Sequence, residues 1–576
     1  MSDTSQAYMF PTSRKEVEKL GWDHIDVILF SGDAFLDHPS SGTAMIARVL
    51  QREGWLVAVV PQPNWQDDLR DFRKLGAPRL FFGVNSGAMD SMVNHYTAAK
   101  RLRSNDAYTP GGQAGHRPDY AVTVYTRILK RLYPEVPVVI GGIEASLRRL
   151  AHYDYWQDRL FPSVLVDSGA DCLIYGMGER PVVAVATALS RGRDLRGIPQ
   201  TAHFVHGRAE DVQDRHILLN SFAKVRKNSD AFIENFNIME KEANRMEASV
   251  LIEPYEDGYV RVNPPYPPET VEELDSYYSL PFTREPHPRY KGKDIPAWEM
   301  IKNSITIHRG CFGGCSFCTI AAHQGKHIRS RSEKSILEEV ERLVRMPYFK
   351  GVISDVGAPT ANMYGLHGRD SRKCAVCARR SCLFPSRCPN LEHDHGRLIG
   401  LYRKITDVPG VRKAFVGSGI RYDLFLDADG FLDESSEKYL REVLVNHTSG
   451  WFKVAPEHTE DHVLKLMSKP SFKLFSVLRR EFVRIAAQER LPYKIVPYFI
   501  SSHPGCTVQD MRRLASNKEL RGIRLEQVQD FTPTPMTASS VMFYSGKDLS
   551  GHPVFVERKL AGKNIQKSLF FRKNTL

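Results

Sequence analysis

Short apolar runs recur along the first third of the chain, each closed by Gly, Pro or a polar residue. Val27-Ile28-Leu29-Phe30, Val57-Ala58-Val59-Val60, Leu80-Phe81-Phe82-Gly83-Val84, Val138-Val139-Ile140 and Cys172-Leu173-Ile174-Tyr175 are too short for helices and show no polar alternation. Such runs predict strands buried on both faces, as in a parallel sheet covered by helices. Thr43 to Glu53 has helical periodicity between two of them. The expectation is an open α/β domain over residues 1–208, with any ligand beyond the carboxyl ends of its strands.

The pattern weakens over residues 209–293, where a charged helix around Ala231 to Glu247 precedes Asn263-Pro264-Pro265-Tyr266-Pro267-Pro268. That proline density excludes helix and central strand and predicts a linking arm. Alternation returns from residue 294. Ile305 to His308, Gly351 to Ser354, Arg412 to Val416, Trp451 to Val454, Lys494 to Ile500 and Glu526 to Val528 read as strands. Ser335-Ile336-Leu337-Glu338 has capping-box spacing and opens a helix with Leu337, Val340, Leu343 and Val344 on one face. Strands joined by helical segments predict a partial β/α barrel over 294–545, interrupted by a Cys-rich insertion at 359–400, with its working face at the strand C-termini. Ser418, Arg421, Glu457, His458, His503 and Gln529 fall on that face. Residues 546–576 form a basic tail with Arg558, Lys559, Lys563, Lys567, Arg572 and Lys573.

Composition narrows the class. The 576 residues are 42% hydrophobic and 25% charged, values of an ordinary soluble protein, and the length calls for more than one core. No apolar run spans a bilayer and Met1 to Lys15 lacks a signal-peptide core, so a cytoplasmic protein without a membrane partner is expected. The net charge of +12 permits a nucleic-acid partner without requiring one, because Lys and Arg are scattered. Nine cysteines without an export signal read as metal ligands rather than disulfides.

Two cysteine groups stand out. Cys311-Phe312-Gly313-Gly314-Cys315-Ser316-Phe317-Cys318 follows a predicted strand. Three thiolates with no fourth nearby leave one iron of a four-iron cube open to another ligand, and the glycines let the backbone wrap a cluster. A structural zinc site needs four ligands and would have to recruit His308, His323 or a distant Cys. Cys374, Cys377, Cys382 and Cys388 form the second group, at irregular spacing, with His367, His393 and His395 nearby. Four thiols suit either a zinc site or an auxiliary cluster. Cys172 reads as a buried apolar residue and Cys506 as a loop thiol.

The C-x3-C-x2-C run resembles the signature of the radical SAM superfamily. The resemblance implies a [4Fe-4S] cluster on Cys311, Cys315 and Cys318, with S-adenosyl-L-methionine on the open iron, cleaved reductively to a 5'-deoxyadenosyl radical with the help of an electron donor. It places Phe317 near the adenine. Asp355-Val356-Gly357 stands where such proteins often have a Gly-Gly-Glu turn for the cosubstrate's amino group, so Asp355 and Gly357 join Ser418, Arg421 and Glu457 as cofactor-binding candidates. Gly141-Gly142-Ile143-Glu144 and Gly176-Met177-Gly178-Glu179 resemble turns of the cobalamin-binding-like domain found before many of these barrels. The cobalamin fingerprint Asp-x-His-x-x-Gly is absent, since Asp37-His38-Pro39-Ser40-Ser41-Gly42 has different spacing.

Asp33 to Ser40, the two cysteine groups, Pro359 to Tyr364 and Gln529 to Thr537 together resemble the YgiQ family of radical SAM proteins over nearly the whole chain. The reaction and substrate of that family are unassigned. Lys453-Val454-Ala455-Pro456-Glu457-His458 resembles the methylthiotransferase group more distantly. A radical methylase or methylthiotransferase acting on RNA or protein is the alternative within the class. Outside it, the alternative is a non-enzymatic nucleic-acid-binding zinc protein.

Overall fold

The computed structural model describes residues 9–213, 215–426, 432–523 and 527–571; Glu526, Arg572 and Lys573 lie outside them. The chain divides into two units of similar size. One holds most of residues 1–302 and the other residues 303–576 together with 240–246 and 268–275.

The first unit is built on a nine-stranded sheet. Its spatial order is Val57–Pro61, Val27–Ser31, Phe81–Asn85, Val138–Ile140, Cys172–Ile174, Thr201–His206, Gly258–Val262, Val250–Pro254 and His216–Leu218. The first five strands pair in parallel and are buried almost throughout, as their unbroken apolar runs require. Helix Gly42–Arg52 buries Ala44, Met45, Ala47, Val49 and Leu50.

Residues 209–293 differ from a linking arm. His216–Leu218, Val250–Pro254 and Gly258–Val262 extend the same sheet, through antiparallel pairs of Gly258–Val262 with Thr201–His206 and with Val250–Pro254. In Gly258–Val262 buried and half-buried positions alternate, the signature of a strand covered on one face rather than of a continuous apolar run.

The strand order reverses around Val27–Ser31, so the crevice where open α/β sheets bind ligands lies beyond that strand and Phe81–Asn85. Here the two following loops close on each other. A Cβ on Gly32 would collide with the Ser86 carbonyl. Asp33 accepts from the Ala88 N–H at 2.6 Å and pairs with Arg117 at 2.9 Å, while fully buried Arg117 also binds Asp106 at 2.8 Å. His38 is buried beside this turn, and its Nδ1 accepts from the Ser40 N–H at 3.1 Å. His38 thus closes a turn with its own loop.

The second unit contains an open array of parallel strands. Ser304–Thr306 pairs with Asp355–Gly357 and Val352–Ile353 with Lys413–Ala414. A parallel bridge joins Ile420 to Val454, and Trp451–Glu457, Lys494–Ser501 and Gln527–Asp530 follow in register. Helices Glu333–Val344, Gly396–Asp407, Glu434–Asn446, Phe472–Gln488 and Val508–Ser516 fill the connections. This is the β/α order of an incomplete barrel, and its core gathers Ile305, Ile353, Ala414, Val454 and Phe499 with the inner faces of those helices.

Two local expectations are corrected. Helix Glu333–Val344 is capped by Ser332, whose Oγ accepts from the Ser335 N–H at 3.1 Å; Ser335 is inside the helix, and the buried face is Ile336, Val340 and Leu343. The stretch 546–576 carries helix Leu560–Phe571, with Lys563, Gln566 and Phe570 buried, so its basic residues do not make it a free tail.

Candidate metal centre

The loop bearing Cys311, Cys315 and Cys318 leaves the carboxyl end of Ser304–Thr306 through the short pair His308–Arg309 with Arg329–Ser330. The array's remaining strand ends bring the other candidates to the same side. The loop's conformation depends on three glycines. Gly310 (φ +87°) and Gly314 (φ +62°) occupy left-handed backbone. A Cβ on Gly310 would strike the His327 carbonyl, one on Gly313 the Arg421 guanidinium, and one on Gly314 the Arg380 carbonyl and Ser381.

Backbone and side-chain bonds fix the loop. The Cys311 N–H donates to the Gly325 carbonyl at 3.1 Å, and the Gly310 N–H to Gln324 Oε1 at 3.1 Å. The Ser316 N–H donates to the Met467 carbonyl at 3.1 Å and its Oγ to the Leu466 carbonyl at 2.6 Å. Ser539 Oγ donates to Ser316 Oγ at 2.9 Å and meets His503 Nε2 at 2.6 Å.

The three thiols stand in a mixed environment. Cys311 is buried, with Sγ 3.3 Å from Thr360 Oγ1; burial raises its pKa, and the Arg421 guanidinium opposes the rise. Burial pushes Cys318 up to about 12, with the neighbouring Cys315 adding to it. Arg421 Nη1 donates to Cys315 Sγ at 3.2 Å, while its Nε and Nη2 fork onto Asp423 at 3.0 and 2.5 Å. The Arg421 backbone is held by Asn362, which accepts from its N–H and donates to its carbonyl, both at 2.9 Å. A fixed cation therefore faces the loop that carries the three thiols, and thiolates are the form that binds metal. The donor set and the glycine-lined wrap fit an iron–sulfur cube with one iron not ligated by Cys.

The remaining candidates separate into two groups. Asp355 and Ser418 come together: the Gly417 and Ser418 N–H groups donate to Asp355 Oδ1 at 2.8 and 3.1 Å, and Ser418 Oγ to Oδ2 at 2.5 Å. Gly357 lies against the Asp355 carboxylate, where a Cβ would collide. Glu457 is buried at a register shift in its strand, with φ +67°, 3.7 Å from Lys469; burial raises its pKa, and Lys469 and Arg421 oppose it. A non-Gly residue in left-handed backbone at a strand end marks stored strain of the kind found at functional sites.

The others have structural partners. Phe317 packs edge-on against His503, ring centroids 6.2 Å apart. His503 is buried, held by Ser539 and the Pro504 carbonyl, and burial lowers it to about 4. His458 is buried against Cys506, Nε2 to Sγ 3.4 Å, and is lowered to about 3 by burial. Cys506, expected as a loop thiol, is thus a core residue, and Cys172 is buried as expected. Gln529 is exposed. Thr360, Asn362 and Asp423 were missed as functional positions; the only sequence signal was Thr360 and Asn362 lying in the family-like segment Pro359 to Tyr364.

The insertion is fastened to the cysteine loop. Ser381 Oγ donates to the Gly313 carbonyl at 2.8 Å and the Cys382 N–H to the Phe312 carbonyl at 3.0 Å. Cys311, Phe312, Met363, Leu366, Leu383, Leu391 and Leu424 share one apolar cluster, with Cys382 and Cys388 packed against it.

Residues 9–304 match the radical SAM N-terminal family. A UPF0313 protein of Bacteroides thetaiotaomicron is 52% identical over 98% of this chain and 95% of its own length. The UPF0313 protein YgiQ of Escherichia coli is 40% identical over 98% of this chain and 84% of its own. The chain belongs to the UPF0313 family. This UPF0313 chain is accordingly a radical SAM enzyme by family. Among solved structures, the radical S-adenosylmethionine methyltransferase TsrM from Kitasatospora setae, with cobalamin and [4Fe-4S] cluster bound, is 17% identical at a TM-score of 0.49, covering 89% of this chain and 77% of that one. That likeness is too loose to bear on function.

Proposed function

We propose that Cys311, Cys315 and Cys318 hold a [4Fe-4S] cluster whose open iron takes S-adenosyl-L-methionine. When bound, the pair supplies one-electron reductive cleavage of the sulfonium to a 5'-deoxyadenosyl radical. The observation that carries the proposal is the Arg421 guanidinium fixed 3.2 Å from Cys315 Sγ, above a loop whose glycines a Cβ would block. A chain built only to place three neutral thiols has no need of a buried cation aimed at one of them.

The protein's own residues do the rest. Thr360 and Arg421 offer hydrogen bonds to the sulfurs of Cys311 and Cys315, partners that tune a cluster's potential. Asp355, holding the Gly417–Ser418 turn, and Glu457 present carboxylates from two strands of the array, suited to a cosubstrate ammonium. Phe317, half-buried in the cysteine loop and braced edge-on by His503, offers a ring face suited to a purine. Cytoplasmic location fits an oxygen-sensitive centre and a soluble electron donor. Among the described residues no helix is long and apolar enough to cross a membrane.

The test is anaerobic reconstitution of the full chain followed by reduction in the presence of S-adenosyl-L-methionine. Wild type is expected to bind iron and sulfide and to release 5'-deoxyadenosine, and Cys315→Ala to release none. Equal release by wild type and Cys315→Ala would sink the assignment.

A further inference from the structure

Four cysteines remain outside the site just described. Cys374 lies in the short helix Ser371–Ala375, and the Cys377 N–H donates to the Cys374 carbonyl at 3.2 Å. The Cys388 N–H donates to the Cys382 carbonyl at 2.7 Å. The insertion is thus two turns, each presenting a pair of half-buried thiols. The two turns are drawn together: Asn390, two residues past Cys388, reaches Cys374 Sγ, and Cys382 and Cys388 pack on one apolar cluster. Close approach is built in, because a Cβ on Gly368 would strike Cys374 Sγ. Donors face the sulfurs. Asn390 Nδ2 lies 3.4 Å from Cys374 Sγ, and Lys326 Nζ 3.6 Å from Cys377 Sγ, with Lys326 anchored on the Arg379 carbonyl at 2.8 Å.

Spacing separates the two ligands that four thiols could take. A single tetrahedral zinc, with Zn–S near 2.3 Å, draws its sulfurs to about 3.8 Å of one another. Among the described residues, the trio of metal-competent groups found within 4.8 Å of one another is Glu460, His462 and Asp510, where Arg513 already bridges both carboxylates. No three of the insertion's sulfurs come that close, a wider spread than one tetrahedral zinc imposes on its ligands.

We propose that Cys374, Cys377, Cys382 and Cys388 ligate a second [4Fe-4S] cluster, complete in protein thiolates and closed to substrate. Lys326 and Asn390 are its hydrogen-bonding partners and set its potential. The bonds from Ser381 to Gly313 and from Cys382 to Phe312 tie this cluster's frame to the Cys311 loop. The second site does not rest on the assignment of the first.

The experiment is anaerobic reconstitution of the full chain with iron and sulfide, with zinc also counted. Wild type is expected to carry about eight iron, and the triple variant Cys311→Ala/Cys315→Ala/Cys318→Ala about four, as one cube each implies. The triple variant leaves the second site intact, and its reduced cluster gives an electron paramagnetic resonance signal that Lys326→Met shifts without loss of iron. The proposal is overturned if wild type carries about four iron and the triple variant none, whether with one zinc per chain or with four thiols open to alkylation. If instead wild type and the triple variant both carry about four, the second cluster stands and the first assignment fails. Circular dichroism of each variant confirms that iron is counted on folded chain.

Discussion

Arg421 does two jobs that substitution can separate. Its fork onto Asp423 is a largely buried ion pair, and its third donor faces Cys315. Arg421→Met leaves the buried Asp423 carboxylate without its paired guanidinium, a change worth about 3–5 kcal/mol of stability. Arg421→Met/Asp423→Met removes both charges and is expected to recover most of that loss in chemical denaturation. The double variant still lacks the cation that stabilises an added electron on the cluster. Redox titration of the reconstituted double variant should show a more negative midpoint with iron content unchanged; an unchanged midpoint would remove Arg421 from the electrostatics of the site. Only part of this was legible in the sequence. The three cysteines announce themselves because their ligand spacing is local. Arg421 was visible only as a polar residue at a strand end, and Asn362 and Asp423 were not visible, since their roles exist only once Arg421 is placed. His458 and His503 had the same strand-end signal as Arg421 and turned out to be held by core partners, because position in an array says nothing about what a side chain packs against.

At the scale of elements, the glycines of the cysteine loop make graded demands. Gly310 combines φ +87° with a backbone carbonyl where a Cβ would go, and backbone cannot step aside. At Gly313 the obstacle is the end of a long side chain. Gly310→Ala is therefore expected to cost about 2–3 kcal/mol in thermal denaturation. Gly313→Ala should cost less than about 1.5 kcal/mol but displace Arg421 from Cys315, reproducing the midpoint shift of the Arg421 double variant. A Gly313→Ala chain with wild-type midpoint would show that the guanidinium contact is incidental. Most elements were readable where the apolar pattern was strong: the buried parallel strands of the first unit appear within a residue or two of their runs. The sheet's outer strands were not, because Val250–Pro254 and Gly258–Val262 adjoin a proline-rich stretch whose composition masked them. The Ser332 cap is hidden in the sequence because Ser335 and Glu338 mimic a capping box one turn inside the helix.

For the whole molecule, charge composition misleads at the C-terminus and burial decides instead. Helix Leu560–Phe571 inserts Gln566, whose Oε1 accepts from the Ser502 N–H at 2.9 Å and whose Nε2 donates to the Cys506 carbonyl at 3.1 Å. Phe570 packs on Phe499 with ring centroids 5.8 Å apart. Gln566→Leu strips both buried backbone groups of a partner and should cost about 2–3 kcal/mol. A larger consequence comes from buried histidines. His152 in the first unit and His308 and His458 in the second are lowered to about 3, chiefly by burial. Each is neutral in the native chain and protonates near pH 6.5 once unfolded. Between about pH 6.5 and 3 the unfolded state binds the extra protons, so stability falls as pH falls, by about 1.4 kcal/mol per pH unit for each such histidine. The contribution is fully present above pH 6.5. Denaturation midpoints measured from pH 7.5 down to pH 5 should therefore drop steeply, and His152→Gln should flatten the part of that slope belonging to the first unit. Midpoints that hold level to pH 5 would mean that these imidazoles are not buried as neutral groups.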